Sequence, residues 1–506
     1  MVLNDAAPHG SRARPCMSWA RSARGTAYGH FGPGAEAKIW PARGSPAGRP
    51  PSYRCSAERS PQAVPPAVRA QRQAVEAEGR RLAARFLARD DGAVSESLVS
   101  SEELAWESLE WLMVQARPHG NGIVWTGVST ATEPSVDLYS GTAGVVLALL
   151  EAYRHSGDER WASAAAAGGR SLGQRVDGLD DASLYFGATG VAVALEAVAE
   201  RLGDASAHAA AVRALAAVRE AFDGERWGGA FELMAGNAGV ALGALRVGDV
   251  DLAELAVTPY LSTVEPTEYG VTWENRHGQP ARRHHISHGT LGVAYALAAT
   301  AAATGRSDLM ELCLAAVADV VARNDAGSSG FLVPHSDPQQ QHERIERYSY
   351  GWCHGPAGDA QVFRLLGQIT GDATVDEFGG PLLADGGDLG ATWPDPARLL
   401  GQQRALLWHR WGTCTGVRPE VTRGDGLGFA DVLVADLVDR ATRDAQGVRW
   451  SNVEHRDDAP DLEPRHGWAM GNAGIVRELL RHARPGAGED PGYAADWPDH
   501  PPATAG

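Results

Sequence analysis

Lysine is almost missing from this chain: Lys38 is the only one in 506 residues, and arginine supplies nearly all the positive charge. Aromatic residues make up only 7%. The apolar content is mostly Ala, Val and Leu, which favours helix over sheet. No apolar run approaches the roughly 18–20 residues that cross a bilayer, and the first residues lack the apolar region of a signal peptide. A soluble, cytoplasmic protein without a membrane span is expected. Cysteine is scarce too. Five thiols, odd in number and widely spaced (Cys16, Cys55, Cys313, Cys353, Cys414), argue against a disulfide framework and suit a reducing compartment. The sequence also has no G-x-x-x-x-G-K-[ST] phosphate loop, no G-x-G-x-x-G after a strand, no H-E-x-x-H pair and no nucleophile elbow. These absences remove the usual NTPase, dinucleotide, metalloprotease and serine-hydrolase readings.

The charge that is present is unevenly placed. Residues 1–72 hold 11 Lys+Arg against 3 acids, a formal +8, so with the whole chain at −17 the remainder stands at −25. An acidic body argues against nucleic acid or an anionic membrane as partner. Residues 1–72, rich in Pro, Gly, Ser and Arg and without periodicity, read as a disordered or extraneous basic extension. Residues 73–485 read as the folded domain, and 486–506 as a loose tail.

Within the folded part an internal repeat dominates. Its copies are "DLYSGTAGVVLALLEAY", "SLYFGATGVAVALEAV", "ELMAGNAGVALGAL", "HISHGTLGVAYALAAT", "GWCHGPAGDAQVFRLL" and "GWAMGNAGIVRELLRH". The leading glycines are Gly141, Gly187, Gly236, Gly289, Gly355 and Gly471, at intervals of 46, 49, 53, 66 and 116 residues. The last interval is about twice the others, and Gly416 in "WGTCTGV" divides it into 61 and 55, which predicts a degraded copy there, with 426–439 as its displaced helix. Seven copies with room for two helices each predict a buried inner helix opening on every G-x-x-G. Amphipathic outer helices such as "DASAHAAAVRALAAVREAF" lie between them. The expected fold is all-α, an (α/α)7 toroid with a double ring of seven inner and seven outer helices; an open superhelix is the alternative. In the closed form every G-x-x-G loop faces one pole.

Reactive residues gather just ahead of those glycines: Asp137, Glu232, His284, His285, His288, Cys353, His354 and Cys414. A helix N-terminus favours thiolate. Two such thiols and an imidazole make a zinc site with an open coordination position. The plainer readings are a small buried hydrophobe for Cys353, core packing for Cys313, solvated or capping roles for His284 and His285, and acceptance of backbone N–H groups by Asp137 and Glu232. Glu232 is kept as a site candidate beside His288.

The seven G-x-x-G copies, the "SHG" of the fourth and the "WCHG" of the fifth resemble the lanthionine synthetase C (LanC) and LanC-like family, over roughly residues 80–485. "GWCHGPAG" is the most specific element. The resemblance implies a seven-hairpin α-toroid with one zinc ion at its pole. By position it makes Cys353 the first ligand, Cys414 the second and His288 the general acid or base; Glu232 stands where the third loop commonly has aspartate. A third ligand is expected to follow Cys414, where this chain has Thr415, so His354, or a residue such as His409, is left to complete the set. The implied activity is addition of a cysteine thiol to dehydroalanine or dehydrobutyrine, giving a (methyl)lanthionine thioether. Its implied partners are a dehydrated precursor peptide or small thiol compound, and a dehydratase. The alternative is a zinc-poor relative that only binds a peptide or thiol compound. An (α/α)-toroid glycan hydrolase, a third class, predicts a pole of carboxylates and aromatics.

Overall fold

The computed structural model describes residues 100–325, 331–339, 347–348, 352–371, 434–435, 437–451, 463–469 and 471–486. The basic extension, the C-terminal tail, Cys414, Thr415, His409 and the loop at Gly416 lie outside the described residues.

Helices come in pairs. An inner helix runs into an outer one in α2 (Thr142–Ser156) with α3 (Glu159–Gly173) and in α4 (Ala188–Leu202) with α5 (Ala205–Glu220). The same holds for α6 (Asn237–Val247) with α7 (Val250–Val257), which the short α8 (Pro259–Ser262) follows, and for α9 (Thr290–Thr304) with α10 (Ser307–Ala322). The joints are written in the sequence. Inner helices end on glycines with positive φ, among them Gly157 (+68°), Gly203 (+69°) and Gly248 (+85°), a conformation glycine adopts without a Cβ penalty. An aspartate follows each of these three and caps the next helix: Asp158 accepts from the Arg160 amide, Asp204 from Ser206 and Ala207, and Asp249 from Leu252.

Inner helices are buried almost all round. Every residue of α2 from Thr142 to Ala152 is buried, whereas α5 buries only one stripe, Ala207, Ala210, Ala211, Ala214, Leu215 and Val218. The inner helices pack side by side in the order α11 (Pro356–Thr370), α9, α6, α4, α2, α12 (Asn472–Gly486). The first described helix, α1 (Ser101–Val114), packs on the last, α12, so the two ends of the domain form one hairpin that abuts α2. This is an α/α toroid, as the repeat predicts.

Among the described residues, four two-stranded antiparallel ribbons decorate the connections: β1 (Arg117–His119) with β2 (Gly122–Val124), β3 (Glu265–Pro266) with β4 (Val271–Thr272), β5 (Arg282–Arg283) with β6 (Ser336–Asp337), and β7 (Thr442–Asp444) with β8 (Gly447–Arg449). Four buried tryptophans finish the outer layer. The indole N–H groups of Trp125, Trp227, Trp273 and Trp450 donate to the carbonyls of Leu112, Val218, Tyr260 and Leu437, at 2.7, 2.7, 3.0 and 2.7 Å. Three of these carbonyls fall in the last turn of α1, α5 and α8, where intrahelical donors run out. Trp450 treats Leu437 as the others treat outer helices. Residues 434–435 and 437–440 are helical, and the rest of the helix expected over 426–439 lies outside the described residues.

The second glycine of each G-x-x-G is required by a close approach. A Cβ at Gly190, Gly239, Gly292 or Gly358 would sit 1.9, 2.0, 2.0 or 2.0 Å from the carbonyl oxygen six residues earlier. The loop thus folds directly against the first turn of its own helix. Consecutive loops are then stitched together: the Ala469 amide donates to Tyr139 O (3.0 Å), Tyr139 to Tyr185 O (2.9 Å), Tyr185 to Met234 O (3.3 Å) and Met234 to Ser287 O (3.2 Å). The Ser287 hydroxyl donates to Cys353 O (2.6 Å). Residues more than two hundred apart in sequence meet at one pole, as expected of the closed form.

Candidate functional site

His288 and His354, each just before a leading glycine, meet with ring centroids 5.2 Å apart. His288, in the loop ahead of α9, places Nδ1 3.2 Å from Glu232 Oε2 of the preceding loop. Glu232 is fully buried and also accepts from the amides of Met234 (2.6 Å) and Ala235 (3.3 Å). The capping role expected of Glu232 is thus filled, and its carboxylate also lies against His288. Asp137 caps in the same way, accepting from the Ser140 amide at 2.7 Å.

His354 stands at the centre of an imidazole cluster. Its ring centroid is 5.2 Å from His288, 4.5 Å from His335 and 6.5 Å from His285. Burial, then the facing His288, His335, His285 and Arg283, push His354 well below its ordinary value and keep the ring neutral. Burial lowers His335 to about 3, with His285, Arg283 and His288 adding to it. Cys353, the neighbouring residue, is half-buried. Cys313, by contrast, is fully buried in α10 and burial pushes its thiol up to about 12, as expected of a packing residue.

His284 and His285 are not solvated. Both are 1% exposed. His285 Nδ1 donates to Asp359 Oδ2 at 2.7 Å, and the Ile286 amide donates to Asp359 Oδ1 at 3.0 Å. Asp359, in the first turn of α11, ties the fourth loop to the fifth. Burial raises its pKa, while His285 and the Ile286 amide oppose that rise.

Four contributors are not singled out by the repeat pattern. Asp359 lies just inside a helix, beyond the G-x-x-G. His335 arrives through the β5–β6 ribbon, where Arg283 pairs with Ser336 and the His284 amide donates to His335 O at 3.3 Å. Arg276 comes from the connection ahead of β5 and brings Nη2 to 3.4 Å from His288 Nδ1. The fourth is an aromatic arc. Phe186, exposed at 41%, stacks toward Tyr139 (5.2 Å), Tyr139 toward Tyr185 (6.4 Å) and Tyr185 toward Trp352 (5.8 Å). The pole therefore carries aromatics as well as the thiol and imidazoles read from the sequence.

Among the described residues, no group of three or more His, Cys, Asp or Glu side chains is arranged to hold a metal ion. The donor types at hand, a thiol next to a neutral imidazole, are those zinc takes, and Cys414 lies outside the described residues.

The profile of the family described as lanthionine synthetase C-like protein matches residues 133–378, the stretch that supplies Glu232, Arg276, His288, Cys353, His354 and Asp359. Over those residues the chain resembles LanC-like proteins. A solved structure of nisin cyclase superposes with a TM-score of 0.51 at 14% identity, covering 73% of this chain and 92% of that one. At that identity the likeness shows the fold alone. An α-1,6-mannanase, GH76A of Salegentibacter sp. HEL1_6, gives 0.42 at 12% identity, covering 76% and 99%. An unsaturated glucuronyl hydrolase from Streptococcus agalactiae gives 0.41 at 13%, covering 79% and 94%. No curated protein matches the sequence. No helix among the described residues is long and apolar enough to cross a membrane.

Proposed function

We propose that this protein is a LanC-like peptide cyclase that adds a cysteine thiol to dehydroalanine or dehydrobutyrine and forms a thioether. The observation that carries this reading is the Glu232–His288 pair, 3.2 Å apart, opening onto the loop that bears Cys353 and His354. Thiol addition needs a nucleophilic sulfur and a proton for the α-carbon. Zinc held by Cys353, Cys414 and His354 would supply the first by keeping the peptide sulfur as thiolate at neutral pH. His288 supplies the second. Glu232 accepts from its Nδ1–H, which fixes the ring and leaves Nε2 to hand the proton over. The buried His285–Asp359 pair holds the fourth and fifth loops in register, so that His288 and Cys353 face the same peptide. A preceding dehydration of serine or threonine must supply the acceptor.

The test uses a synthetic peptide with one dehydroalanine upstream of one cysteine, followed by thiol labelling. Addition is an isomerisation, so the thiol disappears at constant mass. The expected result is consumption well above the protein-free rate, reduced about 10²–10⁴-fold in His288→Asn, with near-stoichiometric zinc that is lost in Cys353→Ala. Consumption at the protein-free rate sinks the cyclase reading; peptide binding without consumption favours the binding-only relative.

A further inference from the structure

Arg276 lies in none of the repeat loops, yet the backbone fixes it beside the proposed acid. The segment around it pairs with the residues leading into the third loop. The Phe231 amide donates to Asn275 O (2.9 Å), the His277 amide to Gly229 O (2.9 Å), and Ala230 and Arg276 form an antiparallel bridge. Asn275 Oδ1 accepts the Arg283 amide at 2.6 Å, so the same segment is anchored to the strand leading into the fourth loop. Arg276 is thereby held between the segments that carry Glu232 and His288. Its Nη2 lies 3.4 Å from His288 Nδ1, and its Nε is buried without a hydrogen-bond partner. A guanidinium with a buried, unmet N–H is costly unless something else accepts from it.

The reaction proposed above, on which this inference rests, creates such an acceptor. When the peptide sulfur forms its bond to the β-carbon, the electron pair of the carbon–carbon double bond moves toward the neighbouring carbonyl and leaves an enolate oxygen. His288 Nε2, having taken the proton released by the thiol, delivers it to the α-carbon, and the carbonyl reforms. The thiol's proton is accounted for at the α-carbon, nothing is oxidised, and no co-reactant is consumed. Negative charge on that oxygen is the least favourable feature of the step, above all in a body whose formal charge is strongly negative. We propose that Arg276 is a catalytic residue that binds the carbonyl oxygen of the dehydrated residue and stabilises the charge developing there, while His288 protonates the adjacent carbon. Fixed donors aimed at developing charge are worth most in an enclosed site, and removing one such donor slows turnover by about 10²–10³-fold.

The experiment compares wild-type protein, Arg276→Gln and Arg276→Lys on the dehydroalanine peptide. Affinity is measured separately by fluorescence anisotropy with the same peptide carrying alanine for dehydroalanine. The proposal expects Gln to slow thiol consumption about 10²-fold or more, Lys to recover part of the rate, and alanine-peptide affinity to stay within about twofold, since the charge exists only during reaction. Arg276→Gln reacting at the wild-type rate overturns the role of Arg276 and leaves the cyclase reading standing. A wild-type protein that consumes no thiol overturns both. Equal loss of rate in Gln and Lys together with lost peptide affinity reduces Arg276 to a structural or general binding residue and also overturns the proposal.

Discussion

Replacing Gly292 by alanine tests the geometry that brings the loops to the pole. Alanine is the better helix former by about 1 kcal/mol, and a compatible Gly→Ala change adds about 0.4–1 kcal/mol by restricting the unfolded chain, so propensity alone predicts stabilisation. The structure predicts the reverse. The new methyl would lie 2.0 Å from Ile286 O and 3.2 Å from Leu233 Cβ. The carbonyl would have to retreat by about 1.4 Å to reach an ordinary contact, and a strain of this kind costs about 1–3 kcal/mol. It cannot retreat alone. The Ile286 amide is bonded to Asp359, Ser287 O accepts from Met234, and the Ser287 hydroxyl donates to Cys353 O; each bond disturbed adds about 1 kcal/mol. The net expectation is destabilisation by about 2–3 kcal/mol, a fall of about 1 M in the urea midpoint at a slope near 3 kcal/mol/M. Gly229→Ala is the control, because a Cβ there meets nothing within 4 Å, and its midpoint should stay level or rise slightly. Equal midpoints for the two variants would falsify the close-approach account of the second glycine.

Burial depresses His284 to about 2 and His466 to about 4. Both are then neutral when folded but take up a proton near 6.5 when unfolded. Their stabilisation is complete above 6.5 and is lost as pH falls below it, by about 2 kcal/mol per residue at pH 5; urea unfolding from pH 7 to 5 reads this, and His466→Gln should flatten the slope by about one proton. Asp359→Ala leaves the Ile286 amide and His285 Nδ1 without their acceptor, which should cost about 2–4 kcal/mol and detach the fifth loop, read as faster labelling of Cys353 by a thiol reagent. Trp227→Phe keeps the ring but removes the donor to Val218 O and should cost about 1–2 kcal/mol in thermal or urea unfolding, against none if the indole N–H is idle.

The sequence is informative about this fold wherever one residue type must recur. The second glycine of G-x-x-G recurs because a carbonyl passes within 2.5 Å of where a Cβ would be in every described copy. Gly-Asp steps recur because each hairpin needs a left-handed stop and a new cap. His288, Cys353 and His354 stand out because they occupy the two places just before a leading glycine. His335, Arg276 and Asp359 carry no such mark. Each enters through a ribbon pairing, a backbone bridge or the inside of a helix, and nothing local separates Arg276 from the other arginines of the chain. The tryptophans are an intermediate case: their residue type is conspicuous, but their shared task of closing outer helices appears only once the helix ends are known. His284 and His285 mislead for a physical reason, since adjacent histidines in a polar stretch look solvated until a buried carboxylate, Asp359, is found seventy-four residues away.

The same geometry decides how substitutions should propagate. In an open superhelix each loop would touch only its neighbours, and damage at one site would stay local. Here the loop ahead of α12 donates to the first loop, the first to the second, and so on to Cys353 O, so the frame of the site is one chain of hydrogen bonds through the described loops. Polar residues that begin the inner helices fasten that chain to the outer layer: Thr142 accepts the Trp125 amide, Asn237 Nδ2 donates to Ala256 O, and Asn472 Oδ1 accepts the Trp450 amide. A loop cannot move without pulling both its neighbour and its own connection to the outer helices. The pole is thereby preorganised before any ligand arrives, which is what His288, Arg276 and Cys353 require if residues from separate segments are to meet one ligand within a few ångströms.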